Sequence, residues 1–251
     1  MAILSGEQLL GLDDAHVTAL DAAWCLGDCR LHPAAIEALV RLRADARKAG
    51  FDLRVASGFR SFERQAAIWN AKAAGLRPVL DAGERPIDVR DLDDAALVFA
   101  ILRWSALPGA SRHHWGTDMD VIDAGRLEPG QPVELRVADA AEGGVFAPLH
   151  RWLDERIASG RAHGFFRPYT GAGCAVAPEP WHLSFAPLAW ECQRGFDPAA
   201  LAAAHRHAGL ALHAAIDAAR EQILQRYFEV PARLYAAALG GVAGARGAQL
   251  A

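Results

Sequence analysis

The sequence predicts an α+β domain, because helix and strand patterns follow one another without the regular alternation of βαβ units. In residues 33–49 the apolar positions recur at helical spacing, and Gly50 is placed to end that helix. Residues 51–55 then alternate apolar with charged side chains, which is the period of a half-buried strand. The pair Ser57-Gly58 breaks this strand. Strands and helices separated by long loops are typical of the α+β class.

The same patterns predict the remaining elements. A second helix is expected from Phe62 to Ala74, closed by Gly75, and Asp93 is suited to cap a third helix that runs to about Trp104. We further expect strands over Thr117–Ile122, Pro132–Val137 and Trp181–Phe185, a helix near Pro148–Ser159, helices over 199–226 and 231–238, and loops over 76–91, 107–116 and 164–178.

Composition limits the class of protein. The chain has 251 residues, 52% of them hydrophobic, which is enough for one domain with a sizeable core. The 26 basic and 30 acidic residues give a net charge of -4, and no Lys/Arg run could follow a phosphate backbone, which argues against a nucleic-acid partner. No stretch reaches the roughly 18 apolar residues of a membrane span, and no signal peptide is seen. We therefore expect a cytoplasmic protein, or a periplasmic or cell-wall protein if a leader is missing.

Two histidines and an aspartate have the chemistry of a metal site. His113 ends a loop and Asp120 lies on the strand that follows, so both can reach one ion. His182 begins the last predicted strand and supplies a third ligand. Two neutral imidazoles and one carboxylate leave a Zn²⁺ complex net positive, with its fourth position open for water, which is typical of catalytic zinc. Each residue alone is weak support, so the hypothesis depends on the joint pattern.

Three further residues are predicted to act on a substrate or on water. Glu179 stands three residues before His182, with Pro180 restricting the chain between them, so its carboxylate can take a proton from water and return it to a leaving amine. Arg60 follows the first strand, where a guanidinium can pair with a carboxylate or stabilise an oxyanion. Gln65, one helical turn further on, adds a neutral donor. For Arg60 a surface charge and for Gln65 a solvated helix position are the plain alternatives.

Three segments that contain these residues occur in the order of a known family. They are Ser57-Gly58-Phe59-Arg60-Ser61 with Gln65, the pattern Ser111-x-His113-x-x-Gly116-x-x-x-Asp120, and Glu179-Pro180-Trp181-His182. Together they resemble the VanY-type D-alanyl-D-alanine carboxypeptidases. More broadly they are similar to the zinc peptidase group that also contains the VanX-type dipeptidases and the hedgehog signalling domain. The resemblance covers roughly residues 33–187.

The resemblance implies a small antiparallel sheet that carries a single zinc site and is flanked by helices. It implies a metallopeptidase that removes terminal D-alanine from a peptidoglycan stem peptide or precursor, with residues 1–197 as the catalytic domain. After Asp197-Pro198 the composition shifts towards Ala, so 198–251 is expected to be a helical extension packed on the core. Residue by residue, His113, Asp120 and His182 become zinc ligands, Glu179 the base, Arg60 the group that faces the scissile carbonyl or terminal carboxylate, and Gln65 and Ser111 substrate contacts.

One departure and several alternatives stay open. The family commonly has a small residue two positions before the metal-binding Asp, where this chain has Asp118. We expect Asp118 to hydrogen-bond to a ligand or a loop amide, or to narrow the pocket.

Rival activities are a D,D-dipeptidase, an L,D-carboxypeptidase and a wall endopeptidase. Loops 76–91 and 123–147 are expected to decide among them. A zinc-stabilised, hedgehog-like binding module is the non-enzyme alternative, although such a module has no need of Glu179. Ser111 has the plain alternative of a turn cap.

The other histidines are expected to have no metal role. His114 neighbours a predicted ligand but points elsewhere, so it is expected at the rim or behind the ligands. His205, His207 and His213 do not align on a helix face at their spacings of two and six, and we expect them on a solvated helix.

Overall fold

A four-stranded antiparallel sheet lies at the centre of the structure. The computed structural model describes residues 4–128, 130, 132–171 and 174–247. The strands are β1 (Thr18–Ala19), β2 (Arg30–Leu31), β3 (Leu53–Ser57), β4 (Val79–Leu80), β5 (Pro86–Ile87), β6 (Asp118–Asp123), β7 (Phe165–Phe166) and β8 (His182–Phe185). The central sheet has the order β3-β6-β8-β7 with every neighbouring pair antiparallel, which confirms the predicted small antiparallel sheet.

Helices flank this sheet, as the α+β class requires. They are α1 (Gly6–Leu10), α2 (Pro33–Lys48), α3 (Phe62–Ala73), α4 (Asp94–Leu102), α5 (Val137–Ala140), α6 (Ala147–Ala158), α7 (Ala186–Arg194), α8 (Pro198–Ala208), α9 (His213–Ile223) and α10 (Ala232–Gly247). Local sequence explains where the predicted ones begin. The hydroxyl of Ser61 accepts the amide of Arg64 at the start of α3, and the carboxylate of Asp93 accepts the amide of Ala96 at the start of α4.

Gly116 turns the chain from a 3₁₀ turn, Arg112–Trp115, into the central strand β6. Its φ is +65°, and a Cβ at this position would lie 2.5 Å from Cγ1 of Val17 and 2.8 Å from the amide nitrogen of His32. Its carbonyl accepts that same His32 amide at 2.8 Å. Only glycine fits both the left-handed backbone and this close approach. Gly116 therefore fixes the orientation of the 3₁₀ turn relative to β6.

Several expected boundaries were wrong. Residues 132–136 form no strand and lead into α5, where the amide of Val137 donates to the carboxylate of Glu84 at 3.1 Å. The expected loop 76–91 contains the hairpin β4-β5 and a 3₁₀ turn over Val89–Asp91. The expected loop 164–178 contains β7, in the part that the structure describes. The expected helix 199–226 is divided between α8 and α9 because Gly209 and Leu212 both have positive φ.

The C-terminal helices share the hydrophobic core of the sheet. Leu201 of α8, Ile216 of α9 and Tyr235 of α10 are each at most 1% exposed and belong to the same buried cluster as the sheet. The indole of Trp69 on α3 donates to the carbonyl of Ala211 between α8 and α9, at 3.0 Å. The division at residue 197 stays a prediction, and residues 248–251 of the expected extension lie outside the described residues.

Within the described residues, no helix combines the length and the apolar character that crossing a bilayer requires. The compartment stays a prediction.

Candidate metal centre

The register of β6 and β8 brings two of the predicted metal ligands together. Asp120 and His182 are direct partners across these antiparallel strands. Side chains of directly opposed residues stand on the same face of a sheet, about 5 Å apart at Cβ. Oδ1 of Asp120 accordingly lies 3.3 Å from Nδ1 of His182. Strand pairing therefore determines this part of the site.

His113 reaches the same face from the 3₁₀ turn that precedes Gly116. Its Nδ1 donates to the carbonyl of Gly58 at 2.8 Å, which leaves the lone pair of Nε2 free. That Nε2 lies 3.6 Å from Oδ2 of Asp120. Gly58 packs tightly on the backbone of Arg30, since a Cβ on Gly58 would lie 2.7 Å from the carbonyl oxygen of Arg30. This packing places the Gly58 carbonyl within reach of the His113 ring. A glycine and a backbone carbonyl therefore orient the His113 ring.

The three side chains fit a single metal ion. One ligand atom from each of His113, Asp120 and His182 lies within 4.8 Å of the others. Tetrahedral ligands at about 2.1 Å from zinc are separated by about 3.4 Å, close to the measured separations of 3.3 and 3.6 Å. Among the described residues, neither Oδ1 of Asp120 nor Nδ1 of His182 has a hydrogen-bond partner, although both atoms are buried. Buried polar atoms without partners are costly, and a shared cation would satisfy both.

The electrostatics of the cluster favour a positive charge at its centre. Burial lowers the pKa of His113 to about 4, so its imidazole is neutral at neutral pH and able to bind a metal. Burial also opposes a charge on His182, but hydrogen bonding to Asp118 and the nearby carboxylates of Asp120 and Glu179 raise its pKa well above the usual range. Three carboxylates converging on one imidazole would attract a metal cation in the same way.

Glu179 stands beside the cluster and faces a cavity. Its Oε2 lies 3.2 Å from Nδ1 of His182. Its backbone is held on both sides, because its amide donates to the carbonyl of Tyr169 and its carbonyl accepts the amide of His182, both at 3.0 Å. Burial raises the pKa of the Glu179 carboxyl, against the opposing effect of His182. A raised proton affinity is what a group that accepts and returns a proton needs.

Arg60 also faces this cavity, and Gln65 holds it from behind. Nη1 of Arg60 donates to Oε1 of Gln65 at 2.8 Å, and Nη2 donates to Oγ of Ser57 at 3.4 Å. The other end of the Gln65 amide donates to the carbonyl of Ala106 at 2.7 Å. Gln65 is fully buried, so the solvated alternative for it is wrong. Its expected contact with substrate stays a prediction, and in this structure its amide positions Arg60.

Ser111 lines the cavity and is 1% exposed. Its hydroxyl caps no backbone amide of the following 3₁₀ turn, so the alternative of a turn cap is wrong. The role of Ser111 as a substrate contact stays a prediction.

The cavity has a volume of about 790 Å³, and parts of both loops named in the sequence analysis form its walls. Glu84 comes from loop 76–91, and Glu134 and Arg136 come from loop 123–147. The Glu84 contact with Val137 joins the two loops. Residues 129 and 131 of the second loop lie outside the described residues. The cavity is therefore shaped by the segments that we expected to decide substrate choice.

Sequence reasoning missed Lys72 and Tyr169, which both line the cavity. Lys72 lies on α3, seven residues after Gln65, so the two share a helix face, and this spacing could have revealed it. Burial, with Arg77 and Arg60 nearby, lowers the pKa of Lys72 to about 8. The ring of Tyr169 packs edge-on against His182 with centroids 4.9 Å apart. No local pattern in the sequence indicated Tyr169, since the loop that carries it has no periodicity.

The structure corrects two expectations about the other histidines. Of the two positions expected for His114, the rim is wrong and the position behind the ligands is not contradicted: His114 is fully buried, with Nδ1 donating to the Arg60 carbonyl and Nε2 accepting the Gly109 amide. Both ring nitrogens are occupied, which agrees with the absence of a metal role for it. His205 is not solvated but 2% exposed, because its Nε2 donates to the carbonyl of Pro108 at 2.7 Å. His207 is exposed as expected.

The family model described as "VanY: D-alanyl-D-alanine carboxypeptidase" matches residues 28–188 of this chain. Two uncharacterized proteins of Haemophilus influenzae are also similar. One is 41% identical over 104 residues, which is 41% of this chain and 70% of that protein. The other is 35% identical over 94 residues, which is 37% of this chain and 70% of that protein. All ligand candidates and Glu179 lie inside the range of the family match.

Two solved structures are similar to this chain at low sequence identity. "VanYB in complex with D-Alanine-D-Alanine" is 23% identical, with a TM-score of 0.49, over 82% of this chain and 90% of that one. The LD-carboxypeptidase LdcB is 21% identical, with a TM-score of 0.48, over 82% of this chain and 78% of that one.

We predict that His113→Ala lowers the affinity for a divalent metal ion, measured by competition with a chromophoric chelator, by at least about 100-fold, because one of three ligands is lost. His150→Ala is the matched control. His150 is also buried, and burial lowers its pKa to about 3, but it lies outside the ligand cluster. Both variants should lose stability, and only the first should lose the metal. Equal affinity in the two variants would contradict the assignment.

Proposed function

The chain belongs to the VanY family of D-alanyl-D-alanine carboxypeptidases, and on that premise we propose that it is a zinc-dependent D,D-carboxypeptidase that removes the terminal D-alanine of peptidoglycan peptides or precursors. The observation that carries the proposal is the position of Glu179. Its carboxylate lies beside the ligand cluster and on the wall of the same cavity as Arg60. A metal site, a base and a cation that face one cavity suit hydrolysis of a peptide with a free carboxylate.

The donor set supports zinc as the metal. Two imidazole nitrogens, from His113 and His182, and one carboxylate, from Asp120, suit zinc better than calcium or magnesium, which prefer oxygen ligands. When bound, zinc supplies a Lewis acid that acidifies water and polarises a carbonyl. Three protein ligands are the number found in catalytic zinc sites. We propose one ion per chain.

Glu179 is proposed to move the proton. Its carboxylate takes the proton of the attacking water and returns it to the nitrogen of the departing amino acid, so that one group serves as base and then as acid. Burial raises the pKa of this carboxyl, which favours the protonated form that the second step needs. Its fixed backbone, bonded to Tyr169 and His182, keeps the carboxylate beside the reaction centre.

Arg60 and Ser111 are proposed to hold the substrate. Arg60 pairs with the terminal carboxylate or polarises the scissile carbonyl, and Gln65 keeps its guanidinium in place. Lys72 adds a second cation to the cavity wall. Two cations near a neutral peptide bond favour a substrate that ends in a free carboxylate, which supports an exopeptidase over an endopeptidase.

We predict that Glu179→Gln lowers kcat/KM on a stem peptide ending in D-Ala-D-Ala by about 10²- to 10⁴-fold, because the proton shuttle is lost. The products are followed by mass spectrometry with zinc and with a chelator, and zinc affinity is measured in parallel. Glu191→Gln is the matched control, since Glu191 lies on α7 and pairs with Arg194.

Each outcome of this assay identifies one activity. Release of single D-alanine supports the proposal, and release of free dipeptide indicates a D,D-dipeptidase. The same assay is run on a stem peptide that ends in a single D-alanine after an L-configured residue, and cleavage of that peptide alone indicates an L,D-carboxypeptidase. If the zinc-loaded protein leaves every such peptide intact, the carboxypeptidase proposal is wrong, and a zinc-stabilised binding module is favoured.

We predict that Arg60→Ala removes the preference for a free terminal carboxylate. Wild-type protein should cleave the free acid of a peptide at least about 10-fold faster than its terminal amide, since a charged hydrogen bond contributes about 1.5–3 kcal/mol. Arg64→Ala, at an exposed position of α3, should keep this preference. If Arg60→Ala slows both peptides equally, Arg60 acts on the scissile carbonyl instead. If the wild type cleaves the amide as fast as the acid, the protein is an endopeptidase.

A further inference from the structure

Asp118 contacts the candidate metal ligand His182 through the ring nitrogen that faces away from Asp120. Oδ1 of Asp118 lies 2.9 Å from Nε2 of His182. A carboxylate accepts, so Nε2 keeps its proton, and Nδ1 is the nitrogen whose lone pair is available to a metal that displaces its proton. Asp118 lies two residues before Asp120 on the same face of β6, and it is fully buried and absent from the cavity wall. It therefore cannot narrow the pocket, which was one of the expectations from the sequence.

The carboxylate of Asp118 is saturated with donors. Oδ1 accepts Nε of Arg112 at 2.9 Å as well as the His182 ring. Oδ2 accepts the hydroxyls of Thr117 at 2.6 Å and Ser184 at 3.0 Å. Four donors occupy the four lone-pair sites of an ionised carboxylate. Burial opposes its charge, but Arg112 and His182 outweigh that effect and hold the pKa of Asp118 below its usual range.

Arg112 is as deeply buried as its partner and is bound by the C-terminal helix. Nη1 of Arg112 donates to the hydroxyl of Tyr235 at 2.6 Å, and Nη2 donates to the hydroxyl of Ser184 at 2.6 Å. The side chains of Arg112 and Asp118 are both fully buried. A buried ion pair is stable only when its remaining donors and acceptors are satisfied. Tyr235 and Ser184 meet that condition for Arg112.

Tyr235 is itself fixed in position by α7 and by the segment that enters α10. Its hydroxyl donates to Oε1 of Gln193 at 2.8 Å, and the Gln193 amide exchanges two hydrogen bonds of 3.0 Å with the backbone of Val230. The Tyr235 ring packs on Phe166 and Trp190 with centroids 4.9 and 5.0 Å away. A continuous set of hydrogen bonds thus runs from α10 to the His182 imidazole.

We infer that Asp118 is a positioning residue for the metal ligand His182, and that Arg112 and Tyr235 hold it in place, so that helix α10 completes the metal centre. The inference rests on the proposed zinc site. An acceptor on the far nitrogen fixes the tautomer and orientation of a ligating histidine and raises its basicity. The negative charge of Asp118 serves a second purpose, because it offsets the buried cation of Arg112 next to a site that binds another cation.

The test compares zinc affinity and the visible spectrum of the cobalt-loaded protein in four forms of the full chain: wild type, Asp118→Asn, Tyr235→Phe and Asp123→Asn. Asp118→Asn keeps the shape but loses the charge, and should weaken zinc binding about 10- to 100-fold and shift the cobalt spectrum. Tyr235→Phe keeps the ring packing and removes one acceptor from Arg112, so it should act in the same direction with a smaller effect. Asp123→Asn is the matched control, because Asp123 is a buried aspartate on the same strand whose carboxylate accepts backbone amides away from the site.

The outcomes separate positioning from simple stabilisation. Asp123→Asn should lower the melting temperature without changing zinc affinity or the cobalt spectrum. If folded Asp118→Asn binds zinc as tightly as Asp123→Asn, with the wild-type spectrum, the inference is overturned. If Asp118→Asn does not fold, Tyr235→Phe decides, and unchanged affinity and spectrum there overturn it equally. If the wild-type protein binds no zinc, the proposed function is contradicted as well. If the wild type binds zinc and only the variants fail to show the expected change, the inference about Asp118 alone is overturned.

Discussion

The pairing of Asp120 with His182 across β6 and β8 is the constraint on which the rest of the site depends. Side chains alternate along a strand, so a slip of one residue would move either group to the opposite face of the sheet. Two features prevent such a slip. The short strand β8 is buried along its length, and Gly116 sets the entry to β6 through contacts that no other residue could make. Once this pair is fixed, only His113 must be brought from outside the sheet, and the carbonyl of Gly58 orients it.

A second consequence of that pairing is a concentration of charge in a buried place. Asp118, Asp120 and Glu179 all approach His182, and burial penalises each of their charges. The structure balances them in two ways. Arg112 neutralises Asp118 behind the site, where a chain of hydrogen bonds secures it. The atoms of Asp120 and His182 that face each other have no hydrogen-bond partner among the described residues, and the Glu179 carboxylate lies 3.2 Å from Nδ1 of His182. The carboxylates that are not neutralised lie on the side that opens to the cavity, where we propose that a cation and a substrate bind.

How much could be predicted from the sequence depended on how local each signal was. The α+β class, the small sheet and the family were predicted and are confirmed, because strand periodicity and three short motifs are read from neighbouring residues. The contact between Arg112 and Tyr235 joins residues 123 positions apart, and no pattern in either segment indicates it. The expected strand over Pro132–Val137 was wrong, since a local alternation of apolar and polar residues does not show whether a partner strand lies beside it, and residues 132–136 have none in this structure. Local chemistry was therefore readable, and the contacts that support it across the fold were not.

We propose that one zinc ion binds between the β6-β8 pair and the turn that carries His113. Crystals of the full chain grown with zinc, measured at the zinc absorption edge, would locate this ion. We expect one strong anomalous peak, bounded by Nε2 of His113, the Asp120 carboxylate and Nδ1 of His182, with Glu179 outside the inner ligands and Asp118 still on Nε2 of His182. Zinc bound elsewhere, or through Nε2 of His182 with Asp118 displaced, would contradict it.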